Sequence, residues 1–340
     1  MGRPAPRGRA GDVDVPGLVG AARDGEPRAV ARLISLVEDA APQLREVVEA
    51  LAPYTGRAHV VGLTGAPGVG KSTVTAALVR AYRARGDRVG VLAVDPSSPF
   101  TGGALLGDRI RMQEHALDAQ VYIRSMASRG HLGGLAWATP QALRVLDAAG
   151  CDVVLVETVG VGQSEVEVAA TADTTVVLLA PGMGDGVQAA KAGILEVADL
   201  LVVNKADREG VEQTVRELGH MLSLAGRRRP GDWRPPVLRT VAVRDEGIAE
   251  TVAALDRHRA WLASSGTLAR RRQRRAAEEV EAIAVTALRE RMAALHGDAR
   301  LDRLAARVVA GELDPYAAAD ELLAGLGAGG DAAATLGPAY

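Results

Sequence analysis

The sequence contains a single cysteine, Cys151, so an internal disulfide framework is excluded and a reducing compartment is indicated. Aromatic residues make up only 3% of the chain, although 48% of its residues are hydrophobic. Alanine, valine and leucine must therefore fill the core. We expect Cys151 to be a small buried apolar residue at the edge of a strand.

The sequence also lacks an excess of either charge, with 40 lysine and arginine residues against 42 aspartate and glutamate residues. The net charge of -2 provides no basic field that would attract a nucleic acid. No apolar run approaches membrane-spanning length, and the basic segment 1–11 has no apolar stretch behind it that would form a secretory signal. These features predict a soluble, cytoplasmic protein without a nucleic-acid or membrane partner.

Short apolar runs alternate with helical stretches from residue 56 onward. Seven such runs are present: HVVGLTG (59–65), RVGVLAVD (88–95), VYIRSM (121–126), DVVLVET (152–158), TTVVLLA (174–180), DLLVVNK (199–205) and VLRTVAV (237–243). Strands that are so continuously apolar are covered on both faces, which indicates an α/β fold with a mostly parallel sheet wrapped by helices. Ligands of such sheets bind at the carboxyl ends of the strands.

Helical patterns flank this region on both sides. Val30, Leu33, Ile34 and Val37 recur at helical spacing, and the same pattern predicts a second helix over 44–51. Beyond residue 256 the strand-like runs stop, and one long amphipathic helix followed by shorter helices is predicted up to about residue 326.

Three regions follow from this organisation. We expect an N-terminal helical extension (1–55), a central α/β domain (56–255) and a C-terminal helical arm with a mobile tail (256–340). The arm contains the basic run ARRRQRR (269–275), which we interpret as a solvated helix face.

The segment GAPGVGKS (65–72) follows the first apolar run and opens a predicted helix, the context that a phosphate-binding loop requires. Its glycines let the backbone turn tightly, so that N–H groups face phosphate oxygens. Lys71 brings a positive charge to the β- and γ-phosphates, Ser72 offers a hydroxyl to Mg²⁺, and the helix N-terminus adds a partial positive charge. The residues predicted to contact the nucleotide here are Gly65, Ala66, Pro67, Gly68, Val69, Gly70, Lys71, Ser72 and Thr73.

The tetrapeptide NKAD (204–207) directly follows the sixth apolar run. The carboxylate of Asp207 can accept hydrogen bonds from both N1–H and the exocyclic amine of guanine. Adenine lacks this pair of donors and would leave the carboxylate unpaired, so such a site can discriminate strongly. Asn204, Lys205 and Asp207 therefore predict that the nucleotide is GTP or GDP.

The segment VLVETVGVGQSE (154–165) contains the predicted metal and water site. Glu157 ends the strand, where it can reach Mg²⁺ through a water molecule. The N–H of Gly160 could meet the γ-phosphate. Gln163 could orient the attacking water, although a polar residue at a helix start is an equal alternative.

Two further carboxylates, Asp95 and Asp108, follow the second apolar run. They are candidates for the metal site, and capping or turn residues are the alternative interpretation. Transfer of the γ-phosphoryl group to water depends mainly on positioning and charge neutralisation, here by the loop amides, Lys71 and Mg²⁺.

These motifs, in this order, resemble the MeaB/ArgK/MMAA GTPases, which accompany adenosylcobalamin-dependent methylmalonyl-CoA mutase. The resemblance runs from about residue 59 to 248, and its most specific stretches are DPSSPFTGGALLGDR (95–109) and SRGHLGGLA (128–136). These stretches distinguish the chain from the nickel-insertion GTPases, which usually bring metal-binding histidines or cysteines that we do not find here.

The resemblance implies that Asp95, Asp108 and Glu157 surround Mg²⁺ and the hydrolytic water, and that the NKAD side chains hold guanine. It implies a homodimer assembled partly through the C-terminal helices. It also implies a methylmalonyl-CoA mutase, or a related acyl-CoA mutase, as the partner through which adenosylcobalamin is reached.

One departure from the family concerns the loop near the base. The family commonly has Ser-Ala where this chain has Val241-Ala242. The contact expected there is a backbone N–H from Ala242, so we expect the change to weaken ordering of the loop without abolishing guanine binding.

The glycine-rich loop APGMGDGVQAAK (180–191) follows the fifth apolar run. In the family the matching segment is an additional switch that couples the nucleotide state to the mutase. Glycines give the loop low local stability, one aspartate can be paired or released, and a lysine anchors the following helix. An ordinary strand-to-helix connection is the alternative. The switch residues are Gly182, Gly184, Asp185, Gly186 and Lys191.

The implied function is that of a Mg²⁺-dependent GTPase that acts as a chaperone of the mutase. GTP hydrolysis would gate cofactor loading and protect or reactivate the mutase. Three alternatives remain open: a kinase of a transport-system binding protein (ArgK-type), a non-catalytic GTP-binding scaffold, and a metallochaperone-type GTPase.

Overall fold

A computed structural model describes residues 13–96, 115, 117–128, 138–158, 170–182, 197–224, 231–293 and 299–328. The chain divides into two compact units, Met1–Arg272 and Gln273–Tyr340. Among the described residues, no helix combines the length and the apolar character that crossing a bilayer requires.

Strands form at the positions of all seven apolar runs. They are β1 (His59–Thr64), β2 (Val89–Pro96), β3 (Val121–Ser128), β4 (Val153–Thr158), β5 (Thr174–Leu179), β6 (Leu200–Asn204) and β7 (Val237–Thr240). They make one sheet in the order β3-β2-β4-β1-β5-β6-β7, and every neighbouring pair is parallel. An antiparallel bridge between Val241 and Glu246 lies beyond β7. The predicted mostly parallel α/β fold is confirmed.

Helices lie before, between and after the strands along the chain. In chain order they are α1 (Val15–Arg23), α2 (Pro27–Glu38), α3 (Leu44–Leu51), α4 (Lys71–Ala84), α5 (Ala138–Ala148), α6 (Val211–Leu224), α7 (Ile248–Ser264), α8 (Thr267–Ala293), α9 (Ala299–Val309) and α10 (Pro315–Ala328). Within the second unit, Arg307 of α9 forms an ion pair with Glu321 of α10.

Alternate residues of the strands face different helical layers. In β4, Leu155 packs with α4 and α7, whereas Val154 packs with α5 and the three N-terminal helices. In β5, Leu178 belongs to the α4 and α7 layer, whereas Val177 packs with α6. Burial on both faces explains the uninterrupted apolar runs, and each buried valine or leucine contributes about 1.5–3 kcal/mol.

The chain has a third N-terminal helix, α1, which the hydrophobic pattern did not predict. The Asp14 side chain caps this helix by accepting a hydrogen bond from the Gly17 N–H at 3.0 Å, and Pro16 lies in its first turn. An aspartate before a first-turn proline is a helix start signal. Two glycines within nine residues, Gly17 and Gly20, lower the helix propensity and hide that signal.

The compact units differ from the regions expected from composition. The N-terminal helices share one hydrophobic core with α5 and the strands β2 and β4, so they pack as part of the first unit. The expected boundary near residue 255 lies within α7, where Leu255 and Leu262 are buried. Cys151 is buried two residues before β4, as expected, and burial raises the pKa of its thiol.

Candidate nucleotide-binding site

The glycine-rich loop connects the carboxyl end of β1 to α4. Gly65 has φ +145°, and a Cβ added there would lie 2.3 Å from the Leu178 carbonyl oxygen of β5. Gly70 has φ +95°, and its Cβ would lie 2.5 Å from Nδ2 of Asn204. Only glycine combines this backbone conformation with so close an approach to β5 and β6. The loop is therefore seated against the strands that carry the predicted base-binding residues.

Lys71 is buried as the first residue of α4, and its side chain folds back over the loop. Its Nζ donates hydrogen bonds to the carbonyl oxygens of Gly65 at 2.7 Å and Ala66 at 3.2 Å. Ser72 and Thr73 complete the first helical turn. The ammonium group and the helix N-terminus thus lie together, an arrangement that favours a bound phosphate.

Glu157 of β4 lies beside α4, and the residue is 2% exposed. Ser72 Oγ donates to its Oε1 at 2.6 Å, and Thr75 Oγ1 lies 2.8 Å from its Oε2. These buried hydroxyl and carboxylate oxygens are hard ligands that suit Mg²⁺. The Ser72 proton is directed to Glu157, which is the orientation in which Ser72 Oγ could act as a ligand of a cation.

The other predicted metal and water residues are placed only in part. Asp95 lies near the end of β2, in the strand that pairs with β4, and its side chain is outside the described part of the structure. Asp108, Gly160 and Gln163 lie outside the described residues. Their roles therefore stay predictions.

Asn204 joins the NKAD motif to the phosphate loop. Its Nδ2 donates to the Val69 carbonyl oxygen at 2.9 Å. Its Oδ1 accepts hydrogen bonds from Thr240 Oγ1 at 3.1 Å and from the Ala242 N–H at 3.2 Å. Asn204 is buried, and its side-chain amide connects β6 to the phosphate loop, to the end of β7 and to the segment after β7. The Ala242 N–H, which the resemblance assigns to the base, is thus bonded to Asn204.

Lys205 and Asp207 lie at the same end of the sheet. Lys205 has φ 58° and donates from Nζ to the Gly68 carbonyl oxygen at 2.6 Å. The Asp207 side chain is 40% exposed, and its Oδ2 lies 3.5 Å from Nη1 of Arg244. Arg244 is held more closely by Glu246, with Nε and Oε1 2.7 Å apart. Sequence motifs carried no signal for this arginine.

A cleft of about 180 Å³ opens beside Asp207. Its lining residues are Ala206, Asp207, Arg239, Thr240, Val241, Arg244, Glu246 and Gly247. Polar and charged groups from the NKAD motif, from the end of β7 and from the segment after it therefore converge on one opening.

The predicted switch loop begins directly after β5. Ala180 and Pro181 are buried, and Gly182 is exposed with φ 81°. Gly184, Asp185, Gly186 and Lys191 lie outside the described residues, so the switch assignment stays a prediction.

Two arginines of the basic run are not part of a solvated face. Arg271 forms an ion pair with Asp199 at 2.9 Å, and Arg272 forms one with Asp173 at 2.6 Å. Both aspartates directly precede strands, β6 and β5, and both are buried. The interpretation of 269–275 as solvated is therefore wrong for these two residues. A helical-wheel pattern could not reveal carboxylates that lie about 70 to 100 positions away in the chain.

Comparisons with known proteins match most of the chain. A family model described as methylmalonyl Co-A mutase-associated GTPase MeaB matches residues 30–296. A putative GTPase of Pyrococcus abyssi is 48% identical over 314 residues, which cover 92% of this chain and 97% of that protein. The GTPase ArgK of Escherichia coli is 41% identical over 263 residues, 75% of this chain and 79% of that protein.

A solved structure agrees as well. The crystal structure of a LAO/AO transport system kinase superposes with a TM-score of 0.67 at 28% identity, over 94% of this chain and 100% of that one. The resemblance drawn from the sequence motifs is confirmed by these matches.

Proposed function

Because the chain belongs to the MeaB family of methylmalonyl-CoA mutase-associated GTPases and is itself a GTPase, we propose that it serves as a chaperone of an adenosylcobalamin-dependent methylmalonyl-CoA mutase or a related acyl-CoA mutase. In this role GTP hydrolysis gates cofactor loading and protects or reactivates the partner. Adenosylcobalamin belongs to the mutase and is reached only through it.

The observation that best supports nucleotide binding is the set of hydrogen bonds made by the Asn204 side chain, which we call the Asn204 junction. One buried side-chain amide connects the NKAD strand to the Val69 carbonyl of the phosphate loop, to the last residue of β7 and to the segment after β7. The residues proposed to bind the base are therefore connected to the loop proposed to bind the phosphates by direct hydrogen bonds. Asp207, at the edge of the cleft, supplies the carboxylate that would accept two hydrogen bonds from guanine.

Hydrolysis depends on charge placed around the phosphates. The ammonium group of Lys71 lies over the loop, where it would neutralise the β- and γ-phosphate oxygens. Ser72 and Glu157 would hold Mg²⁺, which when bound neutralises charge on the phosphate oxygens. Glu157 orients the Ser72 hydroxyl by accepting its proton.

Two features of the assembly belong to this proposal. We expect a homodimer formed partly by the C-terminal helices, with nucleotide-dependent movement of the loop after β5. We also expect the protein to work in the cytoplasm, where a mutase and GTP are both present.

Steady-state GTP hydrolysis by the purified protein, with and without a cobalamin-dependent methylmalonyl-CoA mutase, tests the proposal. Stimulation by the mutase with GTP and not with ATP would support it, and Lys71→Ala should abolish turnover in both conditions. GTP turnover that is indifferent to the mutase would exclude this partner and leave the GTPase in place.

A second candidate function is transfer of phosphate to a protein, which is favoured by the likeness to the structure described as a LAO/AO transport system kinase. Preference for ATP over GTP, together with a phosphorylated acceptor protein, would favour it. The NKAD carboxylate argues for GTP.

A further inference from the structure

Thr75 contacts the buried carboxylate at the candidate metal site. It lies on α4 three residues after Ser72 and is fully buried. Its Oγ1 is 2.8 Å from Oε2 of Glu157 and 3.0 Å from the carbonyl oxygen of Lys71. The loop motif ends before this position, so the sequence pattern assigned no role to Thr75.

A threonine hydroxyl has one proton and two possible acceptors here. The Lys71 carbonyl is in a helix, where the backbone N–H four residues later is its normal partner. The Glu157 carboxylate is buried, and a hydrogen bond to an ionised group is about twice as strong as one between neutral groups. The proton of Thr75 therefore serves Glu157 better than it serves the carbonyl.

The two hydroxyls bind the two oxygens of one carboxylate. Ser72 donates to Oε1 and Thr75 to Oε2, so the plane of the carboxylate is determined by two side chains on one face of α4. The side chain of glutamate is one methylene longer than that of aspartate, which gives it the reach to lie along this helix face. Fixing Oε2 thereby fixes Oε1, the oxygen that orients the hydroxyl of Ser72.

We propose that Thr75 is a positioning residue for the cation site: it holds Glu157 so that the lone pairs of Ser72 Oγ face a divalent cation bound with the nucleotide. This role rests on the proposed function. It predicts that removing the Thr75 hydroxyl weakens the contribution of Mg²⁺ to nucleotide binding and leaves Mg²⁺-independent binding intact.

The test measures the dissociation rate of a fluorescent GDP analogue, mant-GDP, from the full-length protein in Mg²⁺ and in EDTA. Thr75→Val removes the hydroxyl and keeps the shape, whereas Thr75→Ser keeps the hydroxyl. We expect Thr75→Val to reduce the retardation of release by Mg²⁺ about tenfold, with an EDTA rate within about twofold of wild type. Thr75→Ser should restore most of the Mg²⁺ effect.

A matched control is available in α7. Thr251 is also buried, and its Oγ1 donates to the helix carbonyl of Gly247 at 2.7 Å. Thr251→Val therefore removes a buried threonine hydroxyl that is bonded to a backbone carbonyl and not to Glu157. We expect it to leave the Mg²⁺ dependence of mant-GDP release unchanged.

Two results would overturn the role of Thr75 alone: equal acceleration of release by Thr75→Val in Mg²⁺ and in EDTA, or a Thr75→Ser variant as impaired as Thr75→Val. If Thr75→Val does not fold, Thr75→Ala, which also lacks the hydroxyl, takes its place in the same measurement, and the same two results overturn the role. Absence of mant-GDP binding by the wild-type protein would instead overturn the proposed function.

Discussion

Arg271 donates hydrogen bonds from Nη1 and Nη2 to the two carboxylate oxygens of Asp199, and each is 2.9 Å long. The Asp199 side chain is 8% exposed and also accepts the Thr175 N–H at 2.9 Å. The first turns of α8 are therefore attached to the amino-terminal ends of β5 and β6. The predicted switch loop begins, and the NKAD motif lies, at the opposite, carboxyl ends of the same two strands.

Arg271→Ala should destabilise the protein by about 2–3 kcal/mol, because it leaves a buried carboxylate without its cation. The value is below that of a fully buried pair since the Arg271 side chain is 37% exposed. Urea unfolding at pH 7.5 measures the change. Arg274→Ala is the control, because Arg274 is 82% exposed and pairs with Glu278 on the surface. A loss of equal size in both variants would contradict a special role of Arg271.

Stability should fall on mild acidification because of His59. Burial lowers the pKa of His59 from 6.5 to about 4, and the nearby Asp173 opposes this only in part. Between these values the unfolded chain binds a proton that the folded chain does not, so the free energy of unfolding decreases as pH falls from 6.5 to 4. The loss attributable to His59 reaches about 3 kcal/mol at most.

Urea unfolding at several pH values measures this effect. His59 Nε2 lies 2.7 Å from Thr174 Oγ1, and His59→Gln keeps a side chain able to hydrogen bond there. We expect the pH slope between 6.5 and 4 to be shallower in His59→Gln than in wild type. His220→Gln, at an exposed histidine, should keep the wild-type slope. Parallel slopes in all three proteins would exclude the role of His59.

Gly70→Ala should impair nucleotide binding more than Gly68→Ala. Both glycines have positive φ, so alanine costs roughly 1–2 kcal/mol of backbone strain at either position. Only at Gly70 would the new Cβ also displace Nδ2 of Asn204, whereas nothing lies within 4 Å of the Cβ at Gly68. Equilibrium titration with mant-GDP compares the two. Equal affinities would mean that the loop tolerates a shift of Asn204.

Asn204→Ala should weaken mant-GDP binding by roughly 30- to 150-fold, because it removes three hydrogen bonds from a buried junction and leaves polar groups unpaired. Lys205→Met is the comparison: Lys205 bonds to the Gly68 carbonyl from a more exposed position. We expect a smaller loss there. Equal dissociation constants of mant-GDP for Asn204→Ala and wild type would show that the hydrogen bonds of Asn204 do not contribute to nucleotide binding.

Much of the fold was predictable because its signals are local. Each of the seven apolar runs became a strand, since burial on both faces of a parallel sheet demands continuous apolar residues. The phosphate loop was predictable for a similar reason. Its glycines are required by backbone geometry within a few residues, as at Gly65 and Gly70. Helix α1 was missed because two glycines weaken its helical pattern.

The sequence by itself therefore determined the fold class and the phosphate loop, whose requirements are met within short segments. Only the tertiary structure decided that Thr75 and Ser72 share Glu157, 82 and 85 positions away. It also decided that Arg271 and Arg272, in a run whose sequence predicts a solvated helix face, pair with buried carboxylates. The physical reason is that a hydrogen bond depends on distance in space, and the crossover connections of a parallel sheet bring together side chains that no local pattern relates.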